Sequence, residues 1–365
     1  QYQALKPQMD AAVIEVMSDA GFIGGARVSG LEKRLADYVG VKHCITCANG
    51  TDALTLGLKA WGIGPGDAVF VPDFTYFASA EVIALVGATP VFIDVCEDSF
   101  NIDAASLEAA IKRVLSEGRL KPKAVIPVDL FGLPADYPAV MKIAAQYGLK
   151  VLEDGAQGFG GMIGEQRACS FGDISTTSFF PAKPVGCYGD GGAVFTNDDA
   201  AAGLIRSLAV HGKGNDKYDN IRVGMNSRLD AIQAAVLSVK LDAFENYELE
   251  DVNKAARWYT EYLPDSLVKP VVPEGFLSSW AQYTVKLDSK ERRDKLQAEL
   301  KTQGIPTMIY YPKAMHSQGA FAEIPYEGTC PTTEKLVDTV LSLPMHPYLT
   351  EEMVKTVAKA VGNSL

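Results

Sequence analysis

Between residues 43 and 209 the chain alternates short β-branched runs with stretches of helical length. Ala68–Val71, Pro90–Val95, Ala124–Val128 and Val151–Glu153 are short, rich in Val and Ile and bounded by turns, which is the pattern of buried strands. Helical stretches lie near 50–61, 77–87, 104–117 and 136–147. Strands linked through helices run parallel, in a sheet covered on both faces. His43–Ala48, Ser175–Phe179 and Gly192–Thr196 read as further strands. The fold class is therefore α/β.

The flanks are read with the same rules. Leu5, Met9, Val13 and Met17 give residues 4–20 a helical period, and Ser29 is taken as N-cap of the helix that follows. Arg228 to Phe244 reads as a strong helix. The acidic run Phe244–Asp251 marks the passage to a smaller domain, giving a large domain at 1–244 and a small α+β domain at 245–365. There Gln282–Leu287 and Thr307–Tyr310 read as strands, and 290–302, 332–340 and 350–361 as helices. A net charge of −11 argues against nucleic acid or an anionic membrane as the main partner. No apolar run reaches the ~20 residues of a membrane helix. Cys44 and Cys47 form a C-x-x-C, but on a strand its ends point to opposite faces, and no second pair exists to complete a zinc site. They are read as buried apolar residues of a reduced, cytoplasmic protein, and no metal is expected. Gln1 in place of Met suggests that an initial piece is missing.

In an α/β sheet ligands sit at the carboxyl ends of the strands. Gly50 and Thr51 open a helix directly after a strand, which suits a phosphate or serves as a plain turn. Asp154, at the end of the strand 151–153, could hold a protonated ring nitrogen or act as an N-cap, with Gln157 three residues on. Tyr76 could stack on a flat cofactor or fill core. Ser178 ends another strand and could add a hydroxyl to the phosphate seat. Five residues later Lys183 stands between Pro181 and Pro184, which forbid a regular helix or central strand. It is either an ordinary hydrated surface lysine in a loop or an amine in a partly dry site, where desolvation would lower its pKa and free its lone pair for attack on a carbonyl. A phosphate cradle, a carboxylate for a ring nitrogen, a stacking aromatic and an amine are together what pyridoxal 5'-phosphate requires.

Phe22-Ile-Gly-Gly25, Asn49-Gly-Thr-Asp-Ala-Leu54, Glu153-Asp-Gly-Ala-Gln157, Ser178-Phe-Phe-Pro-Ala-Lys183, Gly189-Asp-Gly-Gly-Ala193 and Asn226-Ser-Arg-Leu-Asp230 run the length of the chain. With them it resembles the DegT/DnrJ/EryC1/StrS sugar aminotransferases, fold-type I pyridoxal-phosphate enzymes acting on nucleotide-linked keto sugars. The resemblance implies a large domain with a mostly parallel seven-stranded sheet. It makes Lys183 the residue that condenses with the cofactor's aldehyde and shuttles the proton, and Asp154 the partner of the pyridinium nitrogen. It places Gln157 near the phenolic oxygen, Tyr76 on the ring, and Gly50, Thr51 and Ser178 on the phosphate. The asparagine matching Asn226 reaches the phosphate of the neighbouring subunit, which implies a homodimer with shared sites. L-glutamate is the family's usual donor, leaving as 2-oxoglutarate.

The stretches 221–230, 281–285 and 343–348 look closest to the branch that aminates C3 of UDP-2-acetamido-2-deoxy-3-oxo-glucuronic acid for bacterial lipopolysaccharide and O-antigen. A branch aminating C4 of UDP- or dTDP-4-keto-6-deoxy sugars is the alternative. Arg228 could meet a substrate carboxylate or form a structural ion pair. His211, Lys213, Tyr310 and His316 are further substrate candidates or ordinary polar loop residues. Tyr310-Tyr311-Pro312 stands where relatives often carry His-Tyr before the proline. Dehydratases of this fold carry histidine in place of the lysine, so Lys183 argues against that chemistry, and a non-catalytic cofactor sensor is the remaining rival.

Overall fold

The apolar runs pair into one seven-stranded sheet in the computed structural model, which describes residues 1–216, 218–324 and 328–365. Its strands include β1 (His43–Cys47), β2 (Asp67–Pro72), β3 (Thr89–Ile93), β4 (Lys121–Val125) and β5 (Lys150–Asp154). A small hairpin of β6 (Met162–Ile163) and β7 (Gln166–Arg167) precedes the last two, β8 (Ile174–Ser178) and β9 (Gly192–Thr196). The spatial order is β1-β9-β8-β5-β4-β2-β3. β9 pairs antiparallel with both its neighbours, and the remaining neighbour pairs are parallel. Helices cover both faces. Val69 and Val71 of β2 pack with Leu54, Val82 and Ile205 on one side, while Phe70 packs with Leu107, Ile111 and Val140 on the other. Such two-sided burial is why the strands read as continuous apolar runs.

Four helices precede or follow the first strands: α1 (Tyr2–Asp19), α2 (Ala26–Val39), α3 (Gly50–Ala60) and α4 (Phe77–Leu85). Near the C-terminus β10 (Phe276–Leu277) pairs with β6. β11 (Tyr283–Lys286) and β12 (Val340–Leu343) form an antiparallel pair of their own. Around that pair Tyr259, Tyr283, Leu296 and Val354 bury a separate core. The acidic run Phe244–Asp251 is helical. A π-turn at Phe244–Glu248 joins Ala231–Ala243 to Leu249–Tyr262, so the chain crosses to the second core along helix. On this packing we infer the division into 1–244 and 245–365.

Three local expectations are corrected. Ser29 is not an N-cap: Gly24 and Gly25, both at positive φ, already turn the chain, so α2 begins at Ala26 and the Ser29 hydroxyl donates to the Ala26 carbonyl. Arg228 does not start a helix. Residues 226–230 are extended, with Ser227 and Leu229 buried and Asn226, Arg228 and Asp230 exposed, and the helix begins at Ala231. Thr307–Tyr310 is no strand either; only Met308 bridges, to Ser342 of β12, and Pro306 and Pro312 remove donors on both sides. Cys44 and Cys47 do face opposite cores, and both are free thiols. No helix among the described residues is long and apolar enough to cross a membrane.

Candidate active site

The sheet delivers its chemistry at one edge, the carboxyl ends of β1, β2, β5 and β8. After β1, Asn49 caps α3 by accepting the Asp52 N–H at 2.8 Å. The first N–H groups of a helix have no acceptor within it, so those of Gly50 and Thr51 stay available at the positive end of the helix dipole. Ser178, the last residue of β8, faces the same point. A Cβ on Gly50 would lie 2.7 Å from Ser178 Cβ and 3.2 Å from its Oγ. A Cβ on Gly192 would lie 2.5 Å from the Asn49 carbonyl. Two missing side chains thus bring the helix end and two strand ends together as an anion seat.

At the end of β5 two adjacent carboxylates meet different fates. Glu153 is fully buried and accepts from the backbone N–H groups of Cys169 and Phe171 and from Ser175 Oγ, the last two at 2.7 Å, tying β5 to the turn before β8. Four-way satisfaction of this kind makes it a structural anchor, with the Gly172 N–H as its fourth donor at 3.3 Å. Asp154 is also buried, but among the described residues its side chain takes only Ser79 Oγ at 2.7 Å and the Ala156 N–H at 3.2 Å. A carboxylate has room for about four donors, so Asp154 keeps capacity for a ligand. Burial raises its pKa, opposed by the Ser79 hydroxyl, the Ala156 N–H and the Lys183 charge, in that order.

Lys183 sits in a tight loop in which its own N–H donates to the Phe180 carbonyl at 2.8 Å. Phe179 is buried beneath, and the Cys187 N–H returns to the Phe179 carbonyl at 2.8 Å. Burial lowers the lysine's pKa and the Asp154 charge opposes that shift. The amine makes no hydrogen bond or ion pair among the described residues. The loop borders a cleft of about 370 Å³, walled by Pro181, Pro184, Trp280 and His346. An unpaired amine whose pKa is lowered, within the electrostatic reach of the Asp154 carboxylate, is equipped for attack on a carbonyl and for carrying a proton.

Tyr76 stands just before α4 with 57% of its surface exposed, an unusual amount for an aromatic lining a fold, and its ring centroid is 6.1 Å from that of Tyr311. Gln157 Oε1 accepts the Phe131 N–H at 2.8 Å, and its amide donates to the Tyr311 hydroxyl at 3.1 Å. Sequence reasoning missed Tyr311 and Ser79. A hydroxyl in the otherwise apolar start of α4, and the second tyrosine of a stretch already unusual for its missing histidine, were the available signals.

The remaining candidates lie outside this cluster. His211, at positive φ, is exposed in the loop 211–225 with its carbonyl bonded to Asn220. Lys213 pairs backbone with Asn220 in the same loop. Asn226 and Arg228 share an exposed face, held by Ser227, whose Oγ accepts the Ala48 N–H at 3.0 Å beside the anion seat. Tyr310 packs edge-on against Tyr311. His316 is engaged by Asp73, a buried carboxylate at the end of β2, at 2.6 Å.

Residues 3–362 match the profile of the DegT/DnrJ/EryC1/StrS aminotransferase family. A UDP-2-acetamido-2-deoxy-3-oxo-D-glucuronate aminotransferase of Pseudomonas aeruginosa is 44% identical, over 100% of this chain and 98% of that protein. The crystal structure of a DegT DnrJ EryC1 StrS aminotransferase from Brucella abortus superposes with a TM-score of 0.97 at 49% identity, covering 100% of this chain and 96% of that one. NtdA of Bacillus subtilis, solved with bound cofactor PMP, has a TM-score of 0.90 at 27% identity, covering 99% and 82%. The residues here fit such a cofactor. The seat at Gly50, Thr51 and Ser178 suits a phosphate, Asp154 has acceptor capacity left for a ring nitrogen, and Lys183 offers an unpaired amine.

Proposed function

The chain belongs to the DegT/DnrJ/EryC1/StrS aminotransferase family and uses pyridoxal 5'-phosphate, and from that premise we propose that it aminates C3 of UDP-2-acetamido-2-deoxy-3-oxo-glucuronic acid with L-glutamate as donor. The observation that carries the choice of sugar is the full-length identity with the P. aeruginosa relative, whose name states that substrate. When bound, the cofactor supplies an aldehyde that takes up amines and a ring that accepts electrons from the adjacent carbon. Lys183 Nζ is the group that takes the proton from the donor's Cα and later delivers one to the sugar's C3. Its lowered pKa leaves more free amine near neutral pH than an ordinary lysine has. Asp154 keeps the ring nitrogen protonated. Gly50, Thr51 and Ser178 fix the phosphate, Tyr76 covers the ring, and Gln157 supports the edge that carries the phenolic oxygen. Arg228 is the cation assigned to the uronate carboxylate.

A second copy completes the site. Val223 is 88% exposed in the loop that leads to Asn226, a degree of apolar exposure that a partner surface would relieve. In this reading each Asn226 reaches the partner's phosphate seat. Sedimentation of the holo-protein should give twice the 39.2 kDa chain mass; a monomer at micromolar concentration rules the shared site out. The cell compartment consistent with these substrates is the cytoplasm, and the product would feed surface polysaccharides such as lipopolysaccharide O-antigen.

The substrate assignment is tested by offering the glutamate-loaded enzyme a panel of UDP-keto sugars and reading products by mass spectrometry. Turnover of the 3-keto uronate should exceed that of a 4-keto-6-deoxy sugar by more than about 100-fold, because a pocket built to pair a carboxylate loses that pairing with the neutral analogue. Equal or faster turnover of the 4-keto sugar would overturn it.

A further inference from the structure

Behind Asp154 lie two hydroxyls that the proposed reaction leaves without a task. Thr75 and Ser79 are 0% and 1% exposed. Ser79 Oγ lies 2.7 Å from Asp154 Oδ2 and 3.1 Å from Thr75 Oγ1. A hydroxyl has one proton to donate, and an ionised carboxylate only accepts. With Asp154 ionised, the Ser79 proton must therefore go to Asp154, and the bond between the hydroxyls must run from Thr75 to Ser79. Such a chain polarises in one direction, each donation strengthening the next.

The placement is specific. Thr75 and Ser79 flank the start of α4, one helical turn apart, and reach across to the end of β5. The remaining donor to Asp154, the Ala156 N–H, binds the other carboxylate oxygen at 3.2 Å. One oxygen is thus held from α4 and the other from the chain just after β5, which fixes the plane of the carboxylate. Burial favours the protonated acid, and Ser79 is the largest influence in the opposite direction. The ionisable groups around Asp154 are Lys183, the Tyr311 hydroxyl and the Cys169 thiol; of these only Lys183 is a cation that favours the carboxylate.

We propose that Ser79 is a positioning residue for Asp154, with Thr75 donating to it, so that the buried carboxylate stays ionised and oriented for the ring nitrogen of bound pyridoxal phosphate. The proposal rests on the role given to Asp154 above. Its test compares the holo-protein with Ser79→Ala, Ser79→Thr, Thr75→Val and Asp154→Asn. Two quantities are read: the dissociation constant of pyridoxal 5'-phosphate, and the pH midpoint of the bound cofactor's visible absorbance.

Ser79→Ala should weaken cofactor binding about tenfold, the scale of one hydrogen bond to a charged group, and move the midpoint to higher pH as Asp154 holds its proton longer. Thr75→Val should move the midpoint in the same direction by less, and Ser79→Thr, which keeps the hydroxyl, should restore the wild-type values. If Ser79→Ala keeps both wild-type values while Asp154→Asn does not, the relay is overturned and the role of Asp154 stands. If Asp154→Asn also behaves as wild type, both fall. A lower melting temperature with unchanged affinity and midpoint likewise overturns the relay. Should Ser79→Ala fail to fold, Thr75→Val decides, an unchanged midpoint refuting the proposal.

Discussion

Lys183→Ala is expected to lower kcat by more than about 10⁴-fold, the upper range for losing a positioned proton carrier, while leaving the fold intact. Among the described residues no other side chain is placed to do its work. The described residues hold no second unpaired amine beside Asp154, and the residues flanking Lys183, from Phe180 to Val185, are prolines, alanine, phenylalanine and valine. Cofactor should still bind through the seat at Gly50, Thr51 and Ser178, but borohydride should no longer fix it to the protein. Thermal stability should not fall. Lys183 has a folded-state pKa below its unfolded value, so its desolvated charge costs stability at every pH below that folded value, and alanine removes the cost. The same lowered pKa sets the pH dependence of the wild-type apo-protein. Uptake of pyridoxal 5'-phosphate, followed by absorbance, should slow as pH falls through it, because the amine is then protonated. Turnover within tenfold of wild type would remove Lys183 from the mechanism.

Much of this architecture is legible in local sequence because the sheet is buried on both faces. Ala68, Val69, Phe70 and Val71 are wholly buried, and a strand of that kind announces itself as an unbroken apolar run. The strand-to-helix junction at Asn49-Gly50-Thr51 is legible for a related reason, but the same residues also suit a plain turn and cap, so only its place at the strand end is local information. β12 was missed because Val340–Leu343 follows directly on the helix Pro331–Thr339, with no turn residue between them. The support around the site was hidden for a different cause. Ser79 meets Asp154 across 75 residues and Tyr311 meets Gln157 across 154, and no local period carries such a pairing. Ser29 shows the converse: a correct cap residue loses its role when two glycines turn the chain earlier. His316 was singled out by residue type alone, and the structure gives its ring to Asp73.

Asp154→Asn should lower kcat by about 10²–10³-fold, the cost typical of deleting one preorganised electrostatic partner of a transition state. The change is isosteric, so Ser79 and the Ala156 N–H keep something to bind, and only the charge is lost. Charge is the essential property here. A neutral amide cannot hold a proton on a ring nitrogen, and in a site buried from water no solvent dipole replaces it. The effect should therefore fall on kcat more than on KM for the donor. Asp154→Glu keeps the charge but displaces it by a methylene against the fixed donors, and should recover part of the rate. Stability should move the other way from activity. Asp154 has a folded-state pKa above its ordinary carboxylate value, so its contribution is full below the unfolded pKa and is lost as pH rises through the folded one. At neutral pH the apo-protein thus carries an unfavourable buried charge that asparagine lacks. Equilibrium urea unfolding of apo-protein should show the Asn variant at least as stable as wild type at neutral pH, the gap closing as pH falls. A variant that is both slower and clearly less stable at neutral pH would mean that Asp154 serves the fold first, and that its carboxylate is not held in reserve for a ligand.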